Sequence, residues 1–319
     1  MDVSIITINY KTVNLVKDCY ETIKKHSKDF TYEFIIVDNS NDENEMIKLK
    51  QAFKDEQNVV IVDAKDNLGT SKANNLGAQN SSGEFLLFLN SDTLLLNNAI
   101  YEMLCTCKKN NNCLVGSNLL GKDKKPSHSF IPKKYDLKEF KKINSILFSL
   151  FNKIRHKRYD FNYSGSDLEI SGYICSAALM LPRNLFFEIG MFYEDIFMYG
   201  DDPFLCYKAK YVYNAKMVIC SKSKIIHLEG GSDDSVFSDF KAYHFVNGPF
   251  IYFCKAFGDD AGAKYLHISE RIFKRRMIIF KILRRRNNYL NSEKLIDVTY
   301  KFKRNLINNL EEKLNENNL

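Results

Sequence analysis

The sequence predicts an α/β fold, a mostly parallel sheet flanked by helices, with a helical extension at the C-terminal end. Three observations predict it. Short apolar runs alternate with helical patterns at intervals of roughly 25 residues, as successive strand–helix–strand units do. One run, Phe85–Leu89, is apolar at every position, as expected of a strand buried on both faces of a sheet. Beyond Asp239 the alternation gives way to aromatic and then basic helical segments. The expected domains are therefore residues 1–235 and 236–319, and a chain of 319 residues is long enough for both.

The elements follow in order. Val3–Ile8 is a first strand, and Leu15, Val16, Cys19, Tyr20 and Ile23 then recur at helical spacing. Phe34–Val37 is a second strand, Glu45–Phe53 a helix, and Val59–Val62 a third strand. Asn67-Leu68-Gly69 turns into a helix through Ala73, Asn74, Leu76 and Ala78, and the central strand Phe85–Leu89 follows. Ala99–Lys108 reads as a helix and Cys113–Ser117 as a strand. Between Lys122 and Asp167 the pattern breaks into Lys-rich and aromatic pieces, among them an apolar helical stretch at Ile143–Phe151. That region reads either as an acceptor-side excursion or as a surface insertion. Ser171–Leu181 is expected as one long core strand, and Leu185, Phe186 and Ile189 as a short helix stopped by Gly190. Lys216–Cys220 and Lys224–Ile226 read as two further strands, and Leu295–Leu314 as a helical tail.

Composition excludes several classes. With 45% hydrophobic and 27% charged residues the chain is that of a globular protein, and no apolar run approaches the roughly 20 residues of a membrane span. The N-terminal apolar run is too short for a signal peptide, so a cytoplasmic protein is expected. Most of the eight cysteines lie in apolar segments, where reduced Cys packs as a small hydrophobe. Cys105, Cys107 and Cys113 lack the spacing and fourth ligand of a structural zinc site. The net charge of +7 is local: Arg271–Arg286 alone carries eight Lys or Arg, leaving about −1 elsewhere. Nucleic acid is not an expected partner, because no recognised nucleic-acid module is present.

Each early strand ends in polar residues, so parallel pairing would gather those ends along one edge, where open α/β sheets bind ligands. Asp38, after the second strand, suits hydrogen bonds from a base or ribose. Asn67-Leu68-Gly69 lets the backbone approach a ligand and aims a helix N-terminus at it, which favours a diphosphate. The glycine spacing is wrong for a dinucleotide fold and the phosphate-loop Lys is missing, which argues against hydride transfer and ATPase chemistry. Asn90-Ser91-Asp92 closes the central strand; Asp92 can hold a hard divalent cation that also binds phosphate, although all three are ordinary turn residues. Asp202, followed by Pro203 at the head of a helix, reads as an N-cap, which favours its ionised form, while Asp201 beside it works the other way.

In order and spacing Asn9-Tyr10, Val37-Asp38-Asn39-Ser40, Asn67-Leu68-Gly69 with Ala73-Asn74-Asn75, and Phe88–Thr93 resemble successive motifs of the family 2 inverting glycosyltransferases. The likeness is to the rhamnosyltransferase-like group of bacterial O-antigen and capsule biosynthesis, and it runs over roughly the first 230 residues. It implies the GT-A fold and a nucleotide-diphospho-sugar donor seated by Asn9, Tyr10, Asp38, Asn39, Asn67, Gly69, Asn74, Ser91 and Asp92. It implies Mg²⁺ or Mn²⁺ on Asp92 and His227, the latter opening His227-Leu228-Glu229-Gly230-Gly231-Ser232. The segment Ile196–Cys206 is similar to the family's aromatic-Met-Tyr run into an acidic pair, which makes Asp202 the catalytic base, with Tyr199 and Asp201 beside it on the acceptor side. Ser176, Met191, Tyr193 and Phe204 depart from the family pattern and put the sugar in doubt.

The activity so implied is inverting transfer of rhamnose from dTDP-rhamnose, or of a hexose from a UDP-sugar. The acceptor is the hydroxyl of a glycan or of a polyprenyl-diphosphate-linked saccharide. A sugar nucleotidyltransferase and a non-catalytic nucleotide-sugar-binding subunit are the alternatives; the first normally needs a Gly-rich basic loop where Asn9-Tyr10-Lys11-Thr12 stands. In Arg271–Arg286 the apolar residues Ile272, Ile279 and Leu283 cluster on one helical face, with Arg276 and Arg284 intruding. Contact with the cytoplasmic face of the inner membrane, packing on its own domain and a homo-oligomer interface all stay open for it.

Overall fold

The computed structural model describes residues 1–155, 157–228 and 236–316, which form two compact units. The first comprises residues 1–135, 152–197 and 201–231, and the second 136–151, 198–200 and 232–319.

The first unit is an α/β structure. In chain order it begins β1 (Val3–Asn9), α1 (Val13–His26), β2 (Tyr32–Asp38), α2 (Glu43–Ala52), β3 (Val59–Asp63), α3 (Gly69–Gln79), β4 (Phe85–Leu89) and β5 (Thr93–Leu95). It continues with α4 (Ala99–Lys109), β6 (Cys113–Leu120) and β7 (Phe130–Ile131). After α5 (Leu137–Ile143) and α6 (Ile146–Arg155) come β8 (Leu168–Glu169), β9 (Tyr173–Ile174) and β10 (Ala178–Pro182). The helices α7 (Arg183–Glu188) and α8 (Asp201–Tyr211) then lead to β11 (Lys216–His227). The main sheet runs β3-β2-β1-β4-β10-β6-β11-β5, with β8 beside β11.

β1 to β4 are mutually parallel, as their buried runs require, and apolar residues leave both faces. Val3, Ile5, Phe34, Ile36, Phe85 and Leu87 pack with α1, α2 and α4, while Ile6, Ile35, Val37, Leu86 and Phe88 pack with α3 and α8. Close approach of α3 to β1 depends on Gly77, where a Cβ would lie 2.4 Å from Ile6. Because β4 joins the sheet on the side of β1 opposite β2, the strand order reverses between β1 and β4, the point at whose carboxyl ends open α/β sheets bind ligands.

The other half departs from a parallel expectation. Ser171–Leu181 is two strands rather than one, and β10 runs antiparallel to both β4 and β6. The break arises because β9 leaves the main sheet to pair with β7, and the Cys175 N–H then donates to the Ser129 carbonyl. Conversely, the two strands expected at Lys216–Ile226 are one, β11, with a register shift between Cys220 and Lys224.

The second unit is helical: α5, α9 (Asp239–Phe257), α10 (Asp259–Ile282) and α11 (Arg286–Glu316). Its core joins Phe140 of α5 to Phe253 of α9 and Tyr265 of α10, with ring centroids 5.1–5.7 Å apart. Arg271–Arg286 is not one free surface helix. Ile272 and Phe273 are buried in this core, Arg276 donates to the Asn144 side chain at 2.8 Å, and Arg275 donates to the Asn144 carbonyl. Toward the end of α10 the apolar side chains turn outward, with Ile278 58% and Ile282 74% exposed. Among the described residues, no helix is long and apolar enough to cross a membrane.

Candidate active site

Strand register assembles the first part of the site. Asn9 at the end of β1 pairs with Asp38 at the end of β2, which pairs with Asp63 of β3. The fully buried Asn9 amide donates to Asp38 Oδ1 at 2.9 Å and accepts from the Thr12 N–H, so this side chain is a brace between strand ends. Asn39 continues the brace: its amide donates to Asn67 Oδ1 at 3.0 Å, and its own oxygen accepts the Leu68 N–H at 2.8 Å. These bonds set the turn into α3. Gly69 there has φ +76°, and a Cβ would stand 2.6 Å from the Phe197 carbonyl, so the turn requires glycine. Asn74 is buried on α3, whereas Tyr10 is half exposed at the mouth of the loop after β1.

Asp92 lies in the turn between β4 and β5. The antiparallel pairing of β5 with β11 places Thr93 opposite His227, and the Leu228 N–H donates to the Asp92 carbonyl. His227 Nε2 consequently sits 3.2 Å from Asp92 Oδ1, with Asn90 Nδ2 3.4 Å from the same ring atom. The Ser91 hydroxyl reaches the Thr12 hydroxyl at 3.4 Å. Glu229, Gly230, Gly231 and Ser232, which follow His227, lie outside the described residues.

Asp202 is held at the same strand end by the antiparallel insertion of β10. The Asn90 N–H donates to the Ala177 carbonyl, and the Ser176 N–H beside it donates to Asp202 Oδ2 at 3.3 Å. The N-cap expectation needs correction: α8 begins at Asp201, so Asp202 lies inside its first turn and its carboxylate faces Ser176. The charge balance differs too. Burial pushes the Asp202 carboxyl well above the usual carboxylate range, and the neighbouring Asp201 charge adds to this, outweighing the Ser176 bond. Asp201 is buried and accepts from the Thr70 hydroxyl at 3.0 Å; that hydroxyl also meets the Phe197 carbonyl. Thr70 thus links the turn of Gly69 to the acidic pair.

The sequence model of glycosyl transferase family 2 matches residues 4–182, more than half of the chain and the whole stretch from β1 to β10. The chain belongs to glycosyl transferase family 2. Over 213 residues it is 26% identical to the low-salt glycan biosynthesis hexosyltransferase Agl10 of Haloferax volcanii, a match covering 66% of this chain and 62% of that protein. Over 235 residues it is 22% identical to the uncharacterized glycosyltransferase YwdF of Bacillus subtilis, covering 74% and 78% respectively. Among solved structures, GalNAc-T7 with UDP, GalNAc and Mn²⁺ superimposes with a TM-score of 0.55 at 15% identity, over 78% of this chain and 51% of that one. That likeness concerns the fold, which is GT-A.

In this family 2 chain the structure brings Asn9, Asp38, Asn39, Asn67, Gly69, Ser91, Asp92, Asp201, Asp202 and His227 to one sheet edge. Tyr199 belongs to the helical unit, with φ +71° and its ring edge-on to Phe245 at 5.4 Å. A group that sequence patterning did not single out also stands near the acidic pair. His128 Nδ1 is 2.8 Å from Asp160 Oδ2, its Nε2 is 3.2 Å from the Tyr173 hydroxyl, and Arg158 grips both Asp160 oxygens at 2.8 and 2.7 Å. His128, Arg158 and Asp160 come from the irregular Lys122–Asp167 stretch, where no periodicity marks them.

Proposed function

We propose that the chain is a metal-assisted, inverting glycosyltransferase that moves a sugar from a nucleoside diphosphate to a hydroxyl of a glycan or lipid-linked saccharide. The observation that carries this reading is a half-buried carboxylate, Asp202, pushed up by desolvation and by Asp201 and tied through the Ser176 N–H to the strand end that also holds the Asp92–His227 pair. A base is most effective when its pKa approaches the working pH, and burial beside Asp201 moves Asp202 that way. In the reaction the acceptor oxygen attacks the anomeric carbon from the face opposite the diphosphate. The acceptor proton passes to Asp202, the bond from the anomeric carbon to the diphosphate oxygen breaks, and the nucleoside diphosphate leaves.

Asp92 and His227 fit a divalent cation. A carboxylate oxygen and an imidazole nitrogen 3.2 Å apart form an O/N donor pair suited to Mn²⁺ and, less well, Mg²⁺. Among the described residues no group of three such side chains is present, so diphosphate oxygens and water would complete the coordination. When bound, such an ion neutralises charge on the departing diphosphate. Asp38, braced by Asn9, would receive the nucleoside, with Tyr10, Asn39, Asn67, Gly69 and Asn74 around it.

The hexosyltransferase name of one relative supports a hexose as the sugar moved, and the motif resemblance supports rhamnose from its dTDP form or a hexose from a UDP-sugar. Residues 1–235 would be the catalytic domain. The outward Ile278 and Ile282 beside Lys281 and Arg284–Arg286 would let the extension rest on an anionic cytoplasmic membrane surface where a lipid-linked acceptor resides. The test is a panel of nucleotide sugars with and without Mn²⁺, read by thermal shift and by product formation. A Mn²⁺-dependent shift with one donor, and transfer abolished in Asp202→Asn with that shift retained, is expected. Donor binding without transfer to any acceptor would instead leave a binding subunit, and undiminished turnover in the variant would end the assignment of the base.

A further inference from the structure

A cavity of about 710 Å³ borders β11 in the first unit, a size at which proteins hold small ligands. Lys224, in its wall, stands three residues before His227, roughly 10 Å along the strand. Leu120, also in the wall, pairs with Ile226, the neighbour of His227.

One wall is the chain on either side of Asn162, which is buried. Its N–H donates to Asn118 Oδ1 and its carbonyl accepts from Asn118 Nδ2, both at 3.1 Å. Its own side chain accepts from the Ser164 N–H and hydroxyl and donates to the Ser166 carbonyl. Both amides are thus spent on the loop, and what they fix in place is the pair Phe161 and Tyr163, whose rings lie 4.9 Å apart. Tyr163 is 43% exposed, and its oxygen accepts the Arg158 N–H, which leaves the phenol proton to donate elsewhere. Lys157 stands over this ring at 5.5 Å, a contact that a ligand on the opposite face leaves intact.

The register shift of β11 forms a second wall. Ser223 is fully buried there and its hydroxyl donates to Ser117 Oγ at 2.8 Å. Asn97 spans the irregularity, donating to the Lys222 carbonyl at 2.7 Å and accepting the Lys224 N–H at 3.2 Å. Bulges of this kind re-aim the side chains beside them. With Ser223 turned inward, Lys222 and Lys224 are exposed, and neither has an ion-pair partner among the described residues. Glu102, from the first turn of α4, brings one carboxylate to the same cavity.

This combination selects among ligands. A purely apolar molecule would strip water from three charged groups without replacing it. A compact anion would meet Glu102. A pyranose suits all of them: its C–H face lies against the negative face of an aromatic ring, and its hydroxyls donate to a carboxylate and accept from ammonium groups. We propose that this cavity is a second saccharide subsite, which grips a unit of the acceptor glycan other than the one that reacts. Phe161 and Tyr163 are its platform, Glu102 accepts from hydroxyls, and Lys222 and Lys224 donate to hydroxyls or to the carboxylate of an acidic sugar. Held at two places, the glycan presents its reacting end at a raised effective concentration. The inference rests on the reading of the acceptor as a glycan.

The experiment is binding of the full chain, without donor, to an array of neutral and uronic-acid oligosaccharides, with inorganic phosphate as a separate probe. Wild type and Asp202→Asn should bind the same oligosaccharide equally. Tyr163→Ala should weaken that binding about 10-fold. The double variant Lys222→Ala/Lys224→Ala, which keeps both rings, should weaken it as well, and more for an acidic than for a neutral glycan. In transfer assays Tyr163→Ala should raise the KM of an oligosaccharide acceptor about 10-fold at unchanged kcat and leave the KM of a monosaccharide acceptor as it was. Absence of glycan binding, binding that neither variant weakens, or capture of phosphate with no glycan overturns the proposal. Glycan binding lost in Tyr163→Ala, with no transfer from any donor, would keep the subsite and overturn the transferase reading, so the two failures are distinguishable.

Discussion

Asp92, after β4, and Asp202, in the first turn of α8 and bonded to Ser176 just before β10, stand at the same end of neighbouring strands, yet their surroundings are opposite. Asp92 faces a histidine at 3.2 Å, a partner that offers positive charge or a metal-binding nitrogen. Asp202 is half-buried beside a second, buried acid, Asp201, and its carboxyl is pushed up. A third carboxylate, Asp38, is buried and spanned by the Asn9 amide, whereas Glu270 in the helical unit lies between Lys274 and Lys303 at 2.6 Å each. One functional group thus meets four different surroundings: a histidine, a second acid, a bracing amide and a pair of lysines. Residue identity supplies the charge; burial and the sign of the nearest partner decide what that charge can do.

Mutations that remove one carboxylate at a time sharpen this contrast. The largest effect is expected from Asp202→Asn, which should reduce kcat by roughly 10²–10⁴-fold while leaving donor affinity near that of the wild type. Asp92→Asn should act in the complementary way: the Mn²⁺-dependent part of the donor-induced thermal shift should vanish and transfer should fall by about 10²-fold. If both variants lost donor binding equally, the division into base and ligand would be wrong.

Stability measurements extend the comparison. Asn9→Ala leaves the buried Asp38 carboxylate without its amide donor and should cost about 1–3 kcal/mol in denaturant unfolding. For Asp202 the sign is the reverse. Its folded pKa is raised, so its favourable contribution is present below the ordinary carboxylate pKa and is lost as pH rises through the folded value. Asp202→Asn should therefore melt at a higher temperature than the wild type near neutral pH, and the gap should close below about pH 4. Glu270 should show the smallest effect and the opposite window. Bonds from Lys274 and Lys303 hold its pKa at about 2, so its contribution is present above the unfolded pKa and disappears as pH falls toward that value. Because the pair is partly solvated, Glu270→Gln should cost no more than about 1 kcal/mol at neutral pH.

Much of the strand-end cluster was legible in the sequence. Parallel strands buried on both faces leave uninterrupted apolar runs, and each run ends where the chain meets solvent, so Asn9, Asp38 and Asp92 announce themselves as polar residues after Val/Ile/Leu/Phe segments. The glycine at position 69 was readable for the same local reason, since a turn into α3 needs a backbone that few other residues adopt. What tertiary structure alone decided lies between distant segments. The antiparallel entry of β10 breaks the expected long strand at Cys175–Ala177 and puts the Ser176 N–H on Asp202, and the β5–β11 register sets His227 against Asp92. His128, Asp160 and Tyr173 meet only because β7 and β9 pair away from the main sheet. Periodicity records which face a residue presents within its own element, whereas these contacts depend on register and loop closure between elements, which leave no repeat in the chain.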